Sequence, residues 1–171
     1  AYLGTDTGQI WRYYADTFTL LNDEATSRIT DIDCLKNKNI CVAGTLNDGV
    51  AVIDQADTVT WLPNSRYHTW VGIGCEDATM NACTGFASGH KAVSIEIDIL
   101  DSTQSELGEI IILGQLDGDT IGDSTAVDSS SIIALAPLGM VRWNQYSQDA
   151  FLMFSNENAS DEDVLLGGDG F

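Results

Sequence analysis

Apolar positions along this chain come in short runs bracketed by turn residues. No window of a dozen residues shows the i, i+3, i+4, i+7 spacing of an amphipathic helix. The first clear group reads Ile29 to Cys34, Ile40 to Gly44, Gly49 to Asp54 and Thr58 to Trp61. Its runs are filled by β-branched and aromatic residues, the side chains that fit a pleated, half-buried surface. Asn47-Asp48-Gly49 supplies residues that tolerate positive φ in a tight hairpin. Pro63 ends the group, since proline cannot donate to a strand ladder.

A second group restates the first as Thr69 to Cys75, Cys83 to Ala87 and Lys91 to Asp98. Cys34 to Cys75 is 41 positions, Cys41 to Cys83 is 42, and Ile53-Asp54 to Ile97-Asp98 is 44. A period in the low forties with four strand-like runs per unit predicts an all-β, β-propeller-like architecture, with about four blades of four antiparallel strands. The blades are expected at 28–63, 68–108 and 109–155, with one more formed by 1–22 plus 163–171. Ala1 to Gly4 parallels Cys41 to Gly44, so the opening blade starts on its second strand. The apolar run Glu109 to Gly114 is taken to begin the third full unit, and Asp163 to Gly167 is expected to supply the missing first strand, closing the ring.

Charge narrows the functional classes. The 171 residues carry 26 acidic against 7 basic side chains, net −19. A phosphate backbone must be met by lysine and arginine, so nucleic acid is excluded as a partner, and anionic membrane surfaces are disfavoured. Membrane insertion is not expected, because no stretch of eighteen apolar residues occurs. Solubility accounts for the acidic excess more simply than cation binding or a basic partner does.

The four cysteines form two close pairs at matching places in the repeat. Neither pair has zinc-ligand spacing, and both sit across a hairpin, so two local disulfides are expected, Cys34–Cys41 and Cys75–Cys83. They imply an oxidising, extracellular or cell-surface location. Asp117, Asp119, Asp123 and Asp128, with Gly122, partly imitate a calcium loop; Ile121 and the absence of glutamate at its end break the pattern, so Ca²⁺ is the one cofactor in view. Trp11, Tyr13, Trp143 and Tyr146 are the candidate contact surface for protein or glycan. His68 and His90 lie near no Gly-x-Ser-x-Gly elbow and read as surface or turn residues. Asn158-Ala159-Ser160 is a glycosylation sequon.

The strings Tyr2-Leu3-Gly4-Thr5-Asp6-Thr7-Gly8-Gln9-Ile10-Trp11-Arg12 and Val42-Ala43-Gly44-Thr45 resemble the BNR/sortilin-like β-propeller repeats over two to three units. Asp54 to Trp61 stands where those repeats carry an Asp box, without its glycine. The resemblance implies a propeller and leaves the activity open, because the family spans sialidases, sorting receptors and assembly factors. A sialidase would need an arginine triad, and no motif assigns Arg12, Arg28, Arg66 or Arg142 to one. The expectation is a secreted, disulfide-stapled, non-catalytic binding or structural β module. The alternatives are a self-assembling subunit of a filament, surface layer or virion, binding copies of itself, and a sialidase-like glycosidase.

Overall fold

The computed structural model describes residues 1–35, 38–75, 82–87, 91–112, 123–128, 131–136, 139–144 and 149–155. Among them the chain forms four antiparallel sheets, called blades 1 to 4 in chain order. Blade 1 has three strands, β1 (Tyr2–Gly4), β2 (Ile10–Tyr14) and β3 (Thr17–Asn22). Blade 2 has four, β4 (Ile29–Leu35), β5 (Ile40–Thr45), β6 (Val50–Ile53) and β7 (Val59–Trp61). Blade 3 holds β8 (Trp70–Cys75), β9 (Ala82–Ala87), β10 (Lys91–Glu96) and β11 (Glu106–Ile112). Blade 4 holds β12 (Asp123–Asp128), β13 (Ser131–Ala136), β14 (Gly139–Asn144) and β15 (Asp149–Ser155).

The hairpins follow from local chemistry. Thr5 and Thr45 each open a turn, the Thr5 hydroxyl accepting from Gln9 N at 2.9 Å and the Thr45 hydroxyl from Asp48 N at 2.8 Å. Each turn then needs a residue at positive φ, supplied by Gly8 (86°) and Gly49 (103°). Asp54 closes the β6–β7 turn by accepting from Ala56 N and Thr58 N, both at 2.8 Å, which is the place the Asp box takes in the resembling repeats. With no glycine there, Asp57 adopts φ 64°.

Among the described residues, blades 1 to 3 stack through apolar faces. Ile10, Ile29, Cys41, Ala43, Ala51 and Ile53 pack between blades 1 and 2. Leu35, Val42, Val52, Ile73, Val93 and Ile95 belong to a second cluster between blades 2 and 3. Trp70 is fully buried in that second layer. It lies against Gly85, where an added Cβ would stand 2.2 Å from its ring.

Both disulfides form as the spacing predicts. Cys34 faces Cys41 directly across β4 and β5, and Cys75 faces Cys83 across β8 and β9, with Cα atoms 3.9 and 4.1 Å apart. Such close Cα atoms mark pairs without mutual backbone hydrogen bonds. The N–H groups of Ile73 and Cys75 therefore point away from β9, along the free edge of β8. Carboxylates from the neighbouring blade meet them, Asp31 accepting from Ile73 N and Asp33 from Cys75 N, each at 2.7 Å. First strands are thus tied to one another by side chains, in place of a continuous ladder.

Three expectations change. Glu109 to Ile112 do not open the last blade; they end β11, and Lys91 to Val93 pair with Ile112 to Ile110. The boundary drawn at 108/109 therefore cuts an outer strand, and the last blade begins at Asp123. An apolar run fits an outer strand packed on both faces as readily as an inner one. Second, the register pairs Ile53 with Cys41 and Ile95 with Cys83, so Ile53 corresponds to Ile95 and not to Ile97. Third, Asp123 and Asp128 occupy opposite ends of β12, which at 3.3 Å per residue separates them by roughly 16 Å. One ion cannot bind both. Asp117 and Asp119 lie outside the described residues, as do the closing strand 163–167 and Asn158.

Non-reducing peptide mapping should recover Cys34 with Cys41 and Cys75 with Cys83, and reduction should cost about 2–3 kcal/mol per loop of this size. Crossed pairs would refute the register. Asp33→Ala leaves the Cys75 N–H without its acceptor. It should lower stability by about 1–3 kcal/mol in denaturant titration; an unchanged midpoint would show that this strut contributes nothing.

Candidate functional site

Blade 1 presents two unlike faces. Tyr2, Ile10 and Arg12 alternate onto the side toward blade 2, where Ile10 is fully buried. There the Tyr2 hydroxyl donates to Asp57 Oδ1 at 2.8 Å, and Arg12 Nη1 pairs with Asp57 Oδ2. The Arg12 guanidinium also sits 5.9 Å from the centre of the Tyr14 ring. Asp57 thus tethers two strands of blade 1 to the β6–β7 turn of blade 2. Burial raises the Tyr2 hydroxyl first, and the hydrogen bond to Asp57 and its negative charge add to this, so that it is pushed up to about 12.

The opposite face carries Leu3, Trp11 and Leu20, aligned across three strands, and the cross-strand pair Tyr13 and Phe18. The Tyr13 and Phe18 rings lie 4.8 Å apart in a tilted arrangement. Trp11 donates from Nε1 to Gln9 Oε1 at 3.2 Å, and Tyr13 donates to Asp16 at 2.9 Å, so their polar atoms are satisfied at the margin of the patch. Register makes Leu3, Trp11 and Tyr13 the counterparts of Ala43, Ala51 and Ile53 in blade 2. Those three are 0% exposed, covered by blade 1. Here Leu3 is 45%, Tyr13 37%, Phe18 59% and Leu20 40% exposed. A surface with the pattern of a blade-to-blade contact is left open to water. Contiguous apolar exposure of this kind marks an interaction site.

Of the contact residues expected from sequence, Trp11 and Tyr13 fall on this face. Trp143 lies on β14, opposite Ile132 and Ala150 in another blade, and Tyr146 lies outside the described residues. Leu3, Phe18 and Leu20 escaped the sequence reading. The signal was available in the alignment of Leu3 with Ala43, which puts Leu3 beside Trp11, and in the hairpin that brings Phe18 to Tyr13.

The remaining candidates are accounted for individually. His68 is half-buried with its ring edge-on to Trp70 at 5.5 Å, and burial, helped by the Lys91 charge, lowers its pKa. His90 lies outside the described residues. Arg28 pairs with Asp6 at 3.4 Å and Arg66 is exposed, so Arg12, Arg28 and Arg66 form no shared cluster around a common carboxylate. Among the described residues no group of three or more histidine, cysteine or acidic side chains is placed to hold a metal ion. The same residues contain no helix long and apolar enough to cross a membrane.

No family model matches the sequence, and no curated protein matches it. Solved structures do. The WD40 repeats of RRP9 superpose with a TM-score of 0.69 at 7% identity, covering 90% of this chain and 47% of that one. The fold is a β-propeller. The propeller domain of Cps50 (Swd1) from Myceliophteria thermophila gives a TM-score of 0.69 at 11% identity, over 97% of this chain and 53% of that one. YCF48 bound to a D1 peptide gives 0.62 at 13% identity, over 88% and 48%. This chain therefore spans about half the length of the propellers it matches.

The Tyr2 environment gives a measurable signature. An unfolded tyrosine ionises near 10.0, while folded Tyr2 keeps its proton to about 12. Stability from this hydroxyl is thus present below pH 10 and is lost as the pH rises from about 10 through about 12. A phenolate absorbance titration should show one tyrosine lagging the others, and Tyr2→Phe should remove the lag. A parent protein whose tyrosines all titrate together would contradict the Tyr2–Asp57 contact.

Proposed function

We propose that the protein is a non-catalytic β-propeller module of an oxidising, extracellular or cell-surface setting. Its work is to dock on another protein through the open face of β1–β3. The observation that carries this reading is the contrast in exposure at matched register: Ala43, Ala51 and Ile53 are shut off from water, and Leu3 and Tyr13 are not. Aromatic rings offer large contact areas at little cost in side-chain entropy, which suits Trp11, Tyr13 and Phe18 to a protein partner. Two disulfides closed within their own hairpins support the oxidising setting. The peptide complex of one similar propeller, YCF48 with D1 peptide, is further support for a protein-binding role. A relationship to BNR/sortilin-like repeats belongs to the same proposal. It is supported by Thr5 and Thr45, which stand at matching places and whose hydroxyls each accept from a backbone N–H of their own turn.

Catalysis is not part of this reading. Supporting this, no motif assigns an arginine triad, and among the described residues Arg12 pairs with Asp57 and Arg28 with Asp6. A glycan partner is less favoured, because Leu3, Phe18 and Leu20 bring no hydrogen-bonding groups to the patch. A Phe18→Ser, Leu20→Ser double variant tests the docking role. In hydrogen exchange on the parent protein in its native setting, β2 and β3 should be protected beyond what the isolated hairpin allows. The double variant should lose that protection while keeping the β4–β11 amides unchanged. Equal protection in both, together with turnover of a chromogenic glycoside, would favour the enzyme instead.

A further inference from the structure

We infer that the two disulfides form an ordered, redox-sensitive device: a small thiol enters at Cys34–Cys41, and opening that bridge uncovers Cys75–Cys83. The device lies in blades 2 and 3 and uses no residue of the open β1–β3 face.

Access separates the two bridges. Cys41, Cys75 and Cys83 are 2%, 4% and 1% exposed, while Cys34 is only half-buried. Exchange requires a thiolate to reach a sulfur, so Cys34 is the way in. The thiolate bonds to Cys34 Sγ and the bond to Cys41 Sγ breaks. Cys41 leaves with the electron pair and takes up a proton. A second thiolate then attacks the sulfur of the bound thiol, the two depart as their own disulfide, and Cys34 takes up the other proton. Two thiols thus supply the two electrons and two protons that the bridge consumes.

Position separates what the bridges hold. Cys34 and Cys41 belong to the layer between blades 1 and 2, Cys75 and Cys83 to the layer between blades 2 and 3. Asp33 connects them. Alternation along β4 puts Cys34 on the blade 1 side and its neighbour Asp33 on the blade 3 side. Asp33 Oδ1 accepts from Cys34 N at 2.8 Å, and Oδ2 accepts from Cys75 N at 2.7 Å. The Asp33 carbonyl oxygen lies 3.5 Å from Cys75 Sγ. One residue therefore touches the backbone of the first bridge and both the backbone and the sulfur of the second.

Cys34 and Cys41 face each other without mutual backbone hydrogen bonds, so the sulfur bridge is what joins them directly. Its loss frees the end of β4 that places Asp33, and with it the cover over Cys75. Access does not run the other way, because Cys34 is reachable while Cys75–Cys83 is still closed. The junction of blades 2 and 3 is thereby placed under the control of a bridge on the far side of blade 2.

Timed reduction with glutathione, quenched by alkylation and read by peptide mass, should show chains open at Cys34–Cys41 alone and none open at Cys75–Cys83 alone. The trapped glutathione should sit on Cys34. Cys34→Ser with Cys41→Ser should speed reduction of Cys75–Cys83 by roughly tenfold or more, while Cys75→Ser with Cys83→Ser should leave the rate at Cys34–Cys41 unchanged. Asp33→Ala, with both bridges closed at the start, should let chains open at Cys75–Cys83 alone. Where a variant loses the circular dichroism of folded blades, the order of opening in the parent decides. Cys75–Cys83 opening first or independently in the parent overturns the device, as does glutathione trapped on any other cysteine. A folded Cys34→Ser, Cys41→Ser variant whose remaining bridge is no faster than in the parent overturns the coupling. An unaltered order in Asp33→Ala removes Asp33 as the connection.

Discussion

A sheet that is apolar on both sides must be covered on both sides, and this one constraint governs the molecule. In blade 2 one face carries Ala43, Ala51 and Ile53 and the other carries Val42, Val50 and Val52, all without measurable exposure. Strand alternation sends neighbouring residues to opposite faces, so each hydrophobic run creates two interfaces at once. Blade 2 meets the requirement because blades 1 and 3 flank it. Blade 1 meets it on one side only. The open face of β1–β3 therefore has the make-up of a blade-to-blade contact, unlike a scattered exposed leucine on an ordinary domain.

The strongly acidic composition takes on a different meaning in this frame. Asp31 and Asp33 accept from the free edge of β8, Asp48 from Thr26 N and Ser27 N, and Asp54 from Ala56 N and Thr58 N. Asp98 accepts from Leu100 N and Asp101 N, and Asp101 from Thr103 N. Within these turns aspartate reaches backbone donors two to four residues on, and a charged acceptor makes the stronger hydrogen bond. Burial works against Asp48 as an anion, but its four hydrogen bonds to Thr26 and Ser27 prevail and its pKa is lowered. Part of the acidic excess is thus structural, spent on N–H groups that a short-stranded, turn-rich fold leaves without ladder partners. Others, Asp6, Asp23 and Glu24 among them, are exposed, where negative charge opposes indiscriminate association of a chain with an open apolar face.

Much of the fold was legible because repetition exposes it. Cys34 and Cys41 recur as Cys75 and Cys83, and a matched pair in two repeats fixes strand register as firmly as any hydrophobic pattern. The three-stranded first blade could be read from Leu3-Gly4-Thr5 standing where Ala43-Gly44-Thr45 stands in a full unit. Repetition misled where the third unit drifts. Ile110 to Ile112 is apolar at consecutive positions, and such a run does not say which strand of which blade it is. Ile97-Asp98 drew the alignment because it repeats the letters of Ile53-Asp54, while pairing opposite Cys83 selects Ile95. Asp31 and Asp33 gave no signal at all, since their partners are backbone groups 42 positions away in another blade.

The site was half legible for a related reason. Trp11 and Tyr13 stand out by residue type, but whether a strand aromatic is core or contact depends on what lies across its face, and sequence reports only the strand itself. Trp61 and Trp11 occupy comparable apolar faces of adjacent blades, yet Trp61 packs against the cluster around Ile10 and Ile53 while the face around Trp11 has no such cover. The difference between them is what packs across the face, not chemistry. Whether a strand aromatic is core or surface in this chain is therefore decided by blade packing, which is also what holds the chain together.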